Sequence, residues 1–228
     1  INDKTHRWIL IIILKSNKER GIVMYFQYGV KEIEYLKSKD KKLAVYIDQL
    51  GHIDRPVHHD IFSSLVYYIV GQQISIKAHQ TIWDRMVHEL GSIQPDIIIN
   101  AGKEKIQSFG MTFKKADYIL ELCDKIMNNE VDFHSFEKKS DEVIIKELSS
   151  LNGIGVWTAQ MILLHCLERP DVFSYGDLAI LKGMKIVYHH QKIDKRLFEK
   201  YKKRFSPYGS VASIYFWAIA SLENIETR

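Results

Sequence analysis

The stretch LNGIGVWTAQ, residues 151–160, places two glycines two positions apart between two apolar helical patterns. Upstream, Ile144, Leu148 and Leu151 recur at spacings of four and three, the period of one helix face over 141–150. Downstream, 156–167 reads as another helix. Joining the two across so few residues demands a tight reversal. Glycine adopts positive φ without a Cβ penalty, so Gly153 can end the first helix. Gly155 leaves room for a partner to approach the backbone, and Ile154 between them is predicted to point inward and pin the turn. The second helix then opens with amides that have no intrahelical acceptor and with the positive end of its dipole, which together suit an anion.

Outward from this turn the chain reads as helix after helix: 30–38, 41–51, 61–75, 76–90, 113–129, 177–190, 194–204 and 210–222. IFSSLVYYIVGQQIS, 61–75, is nearly all apolar and is expected to be a buried helix. Short segments are expected over 95–109, and extended chain only near 22–28. SFGMTFKKADYIL, 108–120, faintly echoes the glycine turn before an apolar helix, but there is no long repeat and no low-complexity linker.

The 228 residues suit one large domain or two small ones with a sizeable core. Hydrophobic residues make up 46% and charged residues 26%, the balance of a soluble globular protein, and only 4 prolines interrupt it, which favours helices. Two cysteines, Cys123 and Cys166, cannot build a disulfide framework or a four-cysteine cluster. Both lie in apolar helical patterns and read as core thiols in a reducing, intracellular setting. Of the formal net charge of +4, residues 1–23 carry +3, so a nucleic-acid partner has to be argued from where charges lie rather than from their sum. WILIIIL, 8–14, is too short to span a bilayer, lacks a small-residue cleavage site and is followed by the basic KSNKER, which argues against a signal peptide. Met24 is read as the natural start, with 1–23 a leader or non-native extension; the competing reading is a native element docked on the core.

The turn at 151–155 has the physics of a helix-hairpin-helix, which holds a DNA backbone phosphate with main-chain amides and positions a protein without reading sequence. A plain glycine-capped helical turn shares that signature. The residues downstream of the turn separate the two. Over 151–177 the sequence resembles the helix-hairpin-helix DNA glycosylases, the HhH-GPD superfamily, marked by a hairpin, a Gly/Pro-rich loop and a downstream aspartate. LNGIGVWTA is the hairpin, RPDVFSYGDLAILKG (169–183) carries the loop, and the superfamily's aspartate maps onto Asp177. IVGQQIS (69–75) and YGSVASIYFWA (208–218) match two further segments in the right order, so the resemblance covers roughly 24–222. Within the superfamily the chain looks most like the DNA-3-methyladenine glycosylase II branch.

The resemblance implies an all-α fold of two helical subdomains flanking a DNA-binding cleft, one over about 60–140 and the other from 24–59 plus 141–228. It implies a monofunctional enzyme that flips alkylated bases such as 3-methyladenine or 7-methylguanine out of double-stranded DNA and hydrolyses the N-glycosidic bond, leaving an abasic site. Asp177 would stabilise the oxocarbenium-like sugar and orient or deprotonate water; standing where a helix can begin, it is equally an ordinary N-cap. Strand-cutting relatives carry a lysine where this chain has Trp157, and a tryptophan cannot form the Schiff base. Its indole can instead stack on a cationic N-alkylated purine, or anchor the hairpin in the core.

Trp217 and Tyr175 complete the implied base pocket, with Tyr68 a weaker candidate; Trp217 also reads as a core residue. Gln73 matches the wedge that fills the vacated space and Gln72 an opposite-strand contact or a brace, unless both merely close a buried helix. Gly153, Ile154, Gly155 and Thr158 form the phosphate-binding hairpin, with Lys114 and Lys115 as further phosphate candidates. KIDKRLFEKYKKR (192–204) holds seven basic residues against two acidic, a solvated face that can add attraction to DNA. Asp171, six residues before Asp177, is the lesser rival for the carboxylate and reads as a solvated loop residue. Relatives often have Pro and a second acid just before the aspartate, where this chain has Ser174, Tyr175 and Gly176, and that departure bears on substrate range.

No metal is assigned to the adjacent pairs His58–His59 and His189–His190, which lack ligand spacing. No cofactor is expected beyond a monovalent cation on the hairpin's main-chain carbonyls. The expected protein is a cytoplasmic monomer without a membrane segment, nucleoid-associated if bacterial. The rival readings are a non-catalytic helix-hairpin-helix DNA-binding protein and a glycosylase for another base lesion.

Overall fold

The structure, a computed structural model, describes residues 23–226. The reading of 1–23 as a leader therefore falls outside the described residues except for Val23. Eleven α-helices occupy the described chain: α1 Val30–Lys39, α2 Lys41–Leu50, α3 Ile61–Gly71, α4 Ile76–Leu90, α5 Pro95–Ser108, α6 Phe113–Met127, α7 Asp141–Ser149, α8 Val156–His165, α9 Leu178–Tyr188, α10 Lys195–Phe205 and α11 Gly209–Glu226. Among the described residues the only β-pairing is an isolated antiparallel bridge between Tyr25 and Pro56, which is what the expected extended chain near 22–28 becomes.

Among the described residues two compact units form, one from 58–162 and the other from 23–57 together with 163–226. The second break lies well past the expected 140/141, so the hairpin belongs to the inserted unit. The cause is packing. Asn152 Nδ2 donates to Glu121 Oε2 of α6 at 2.8 Å, and the Tyr118 ring of α6 occupies the space beside Gly153.

In the unit 58–162, α3 is buried over almost its whole length, from Ile61 to Val70, as its unbroken apolar run dictates. Asp60 caps its start by accepting from Ser63 N at 3.0 Å. The helix stops at Gly71, short of the expected residue 75, because Ser75 instead caps α4 through Ala78 N. The short segments expected over 95–109 are found: α5 is two short helical runs that meet at Gly102, whose φ of +79° and ψ of 165° are non-helical. α5 packs on α6. A 3-10 turn, Phe133–Lys138, buries Phe136 and had no periodic signal.

In the other unit, α9 packs on α11 so closely that a Cβ at Gly183 would lie 2.3 Å from the carbonyl oxygen of Phe216. Phe173, Phe198, Phe205 and Phe216 fill the core around them, with Phe173 and Phe198 stacked at 4.8 Å. Asp40 joins three helices: Oδ1 caps α2 through Lys42 N and Leu43 N, and Oδ2 accepts from Tyr188 Oη at 2.9 Å and from Arg204 at 2.5 Å.

Candidate active site and nucleic-acid interface

The expected site residues fall on both units. In 58–162, α7 ends at Ser149 with Ser150 in ordinary helical geometry, so Gly153 does not end the helix as expected; it turns the loop three residues later with φ +81°. Only glycine suits it, since a Cβ would lie 2.5 Å from Tyr118 Cδ2. Ile154 is 5% exposed and donates its amide to Leu151 O at 3.1 Å, so it does point inward. Gly155 is exposed, and a Cβ there would meet nothing within 4 Å. Its carbonyl accepts from Ala159 N at 3.0 Å, which starts α8 at the next residue. The backbone is thus open at Gly155, just ahead of the first turn of α8, a place suited to an anion. Thr158 departs from expectation: at 5% exposed, its side chain has little surface to offer a phosphate. Trp157 is half-buried and meets Tyr68 edge-on at 5.7 Å.

Lys115 is also corrected. It is 9% exposed, not a surface phosphate contact, and its ammonium donates to Val70 O at 2.8 Å and Gln72 O at 2.6 Å. Burial pulls its pKa below the ordinary lysine value. Helical position cannot distinguish Lys114 from Lys115 without knowing which face the core takes; Lys114 is the exposed one, lying over the Tyr118 ring at 5.7 Å. The two glutamines also separate. Gln72 Nε2 donates to Gly153 O at 2.6 Å, tying the α3–α4 turn to the hairpin. Gln73 is exposed and holds φ +56°, unusual for a residue with a side chain. Ile74 beside it is 37% exposed, an apolar tip that sequence reading missed.

In the other unit, Asp177 is the N-cap of α9, accepting from Ala179 N at 3.0 Å and Ile180 N at 3.1 Å through Oδ1, and is 1% exposed. The preceding loop turns through Asp177 N to Ser174 O at 3.3 Å. Ser174 is fully buried, whereas Tyr175 is 38% exposed and rests on Phe198 at 5.2 Å. Leu178, immediately after the aspartate, is 58% exposed; an apolar residue at the first turn of an apolar helix gave no warning of that.

Trp217 is 3% exposed within α11, stacked on His165 at 5.6 Å and covered by the Arg55 guanidinium at 4.5 Å. In this state it shows no open face to a base, which fits the core reading rather than the pocket one. Asp171 is not a solvated loop residue. It accepts from Gly209 N at 3.0 Å and Ser206 Oγ at 2.6 Å and so fixes the start of α11.

α10 buries Phe198, Tyr201 and Phe205 and leaves Lys195, Arg196, Lys200, Lys203 and Arg204 exposed. Burial pushes the Cys123 thiol up to about 12, so it is a core thiol without nucleophilic character at neutral pH. Among the described residues, no three of His, Cys, Asp and Glu come together as a metal site, and no helix is long and apolar enough to cross a membrane.

Comparison with known proteins agrees with this geometry. Residues 66–207 match the family described as HhH-GPD superfamily base excision DNA repair protein. A DNA-3-methyladenine glycosylase of Saccharomyces cerevisiae is 30% identical, aligning with 71% of this chain and 67% of its own. The Bacillus subtilis protein YfjP, which carries the same activity in its name, is 25% identical over 79% of this chain and 66% of its own. The chain thus spans about two thirds of the length of these curated relatives. The crystal structure of a Bacillus halodurans DNA-3-methyladenine glycosidase superposes with a TM-score of 0.79 at 30% identity, covering 89% of this chain and 95% of that one. A glycine hairpin open at its second glycine, a buried carboxylate capping a later helix and a family match spanning both leave one conclusion: the chain belongs to the HhH-GPD superfamily of base excision DNA repair proteins.

Proposed function

We propose that the chain is a monofunctional DNA glycosylase that excises alkylated bases of the 3-methyladenine and 7-methylguanine type from double-stranded DNA, acting as a monomer. The observation that carries this reading is Asp177, a carboxylate held by two amides at the start of α9 and shielded from water. The positive end of a helix favours its ionised form. An N-alkylated purine is already cationic, so the C1′–N bond breaks with its electron pair leaving on the base, which becomes neutral. The sugar is left as an oxocarbenium-like cation. Once DNA binding uncovers it, a carboxylate in so apolar a setting stabilises that charge strongly and can take the proton of the water that attacks C1′.

Trp157 in the hairpin supports hydrolysis without strand cutting, since it offers no amine to the sugar. Its ring, half-buried beside Tyr68, is a candidate stacking partner for the flipped base. Tyr175, exposed and backed by Phe198, is the second pocket candidate. The open hairpin, Lys114 and the outer face of α10 supply anion-binding and cationic surface. A monovalent cation at the hairpin belongs to the same proposal: Leu151 O and Gly153 O each accept one internal hydrogen bond, which leaves a second lone pair for a ligand.

The test is release of free bases from methylated duplex DNA, read by chromatography, with strand nicking scored on the same samples. The expected outcome is release of methylated purine without nicking, reduced by about 100-fold or more in Asp177→Asn, in line with the loss of a transition-state electrostatic partner. DNA binding with no base release from the wild type would sink the enzymatic reading.

A further inference from the structure

A lysine nine-tenths buried calls for an explanation, because a methionine would fill the same space without stripping a charge of water. Lys115 does not neutralise a carboxylate there. It donates to two main-chain carbonyls, Val70 O at 2.8 Å and Gln72 O at 2.6 Å, on either side of Gly71 where α3 ends. The last carbonyls of a helix lack intrahelical donors and carry the negative end of its dipole, so a cation is suited to this place.

The same turn is also met by His79 of α4. Its Nε2 lies 2.9 Å from Tyr67 O, and its ring sits where a Cβ on Gly71 would be, 2.5 Å from Cε1. The Gly71–Gln73 turn is therefore gripped from α6 by Lys115 and from α4 by His79. Gln72 extends the linkage through its side-chain amide to Gly153 O, 2.6 Å away in the hairpin. The residue left unheld is Gln73, exposed and in left-handed geometry.

Resting on the base-flipping reading above, we propose that Lys115 is a positioning residue for nucleotide flipping: by pinning the carbonyls of Val70 and Gln72 it holds Gln73 and Ile74 as a rigid wedge, in fixed register with the hairpin that grips the phosphate backbone. Gln72 is then the brace between wedge and grip, and not itself the inserted side chain. A wedge must press into the base stack against the cost of unstacking, a few kcal/mol, and a loose loop would yield instead of the DNA. Chemistry on a base already outside a duplex needs no wedge.

That last point supplies the experiment. Excision of methylated bases is compared for wild type, Lys115→Met and Lys115→Arg on duplex DNA and on the same DNA as single strands, with thermal unfolding confirming that each variant is folded at the assay temperature. In parallel, 2-aminopurine placed beside an abasic-site analogue in a duplex reports disruption of the stack on binding, without any need for turnover. Lys115→Met is expected to lose about 100-fold on duplex, the scale of an ångström-sized misplacement, to stay within a few-fold on single strands, and to lose most of the 2-aminopurine signal. Lys115→Arg, which keeps the donors, is expected to recover much of both. Equal losses on duplex and single strands, or an unchanged 2-aminopurine signal in Lys115→Met, would overturn the proposal and return Lys115 to a purely structural cap. If the wild type frees no base from either DNA, the glycosylase reading fails while the fluorescence signal still decides whether Lys115 positions a wedge.

Discussion

Asp177 combines two roles in one carboxylate, and they can be separated at the level of a single atom. The cap uses Oδ1 as an acceptor for Ala179 N and Ile180 N, and asparagine caps as well as aspartate. Asp177→Asn should therefore leave stability nearly unchanged while abolishing most base release. Asp177→Ala should lose the cap too, at a cost of about 1 kcal/mol. Urea unfolding of the two variants beside wild type checks this; an equal stability loss in both would mean that the charge, not the cap, holds the start of α9. The dual role was legible in the sequence because capping and catalysis ask for the same residue before the same helix. Lys115 was not legible. Adjacent lysines at the start of an amphipathic helix look alike until the packing of α6 on α3 decides which one is buried. Trp217 likewise reads as a pocket ring or a core ring, and only Arg55 and His165 against it distinguish the two.

Elements follow local pattern where one face of a helix is apolar and its caps are explicit. The expected start of α4 at Ile76 and its end at Leu90 are both found, between a Ser75 cap and Gly91. The pattern fails for the 3-10 turn Phe133–Lys138, which has too few residues for a period to show. The pairing of α9 with α11 could not be read from either helix alone, yet it is written in Gly183. A Cβ there would lie 2.3 Å from Phe216 O and 2.9 Å from Phe216 C, both backbone atoms that cannot swing aside. Gly183→Ala is expected to destabilise the protein by about 1–3 kcal/mol through overpacking, despite alanine's better helix propensity. A neutral or stabilising result in urea unfolding would show that the helices do not approach so closely. Because Asp177 heads α9, base release by this variant should also fall more than its loss of folded protein explains.

At the scale of the whole molecule, stability depends on pH through groups whose protonation the fold forbids. His79 is the clearest. Burial, partly offset by its hydrogen bond to Tyr67 O, lowers its pKa from 6.5 to about 4, and the nearby Lys115 ammonium acts in the same direction. The folded protein thus holds the neutral imidazole, while the unfolded chain protonates near 6.5. Between these values the unfolded chain binds more protons, so stability rises with pH across this window. The contribution is fully present above pH 6.5 and is lost as pH falls through about 4. From pH 7.5 down to 5.0 the shift corresponds to a loss of about 2 kcal/mol, within a ceiling on the order of 3 kcal/mol. His79→Gln keeps an amide donor for Tyr67 O and removes the titration, so its stability should fall less steeply over the same range, after subtraction of the carboxylate effects common to both proteins. Unfolding curves for the two proteins at pH 7.5 and 5.0 measure the difference directly. Parallel pH dependences would mean that His79 is protonated in the fold, with its ring rearranged around Gly71. Since that ring also backs the Gly71–Gln73 turn, the acid-destabilised protein should lose duplex excision before it loses excision from single strands, linking global stability to the wedge through a second residue beside Lys115.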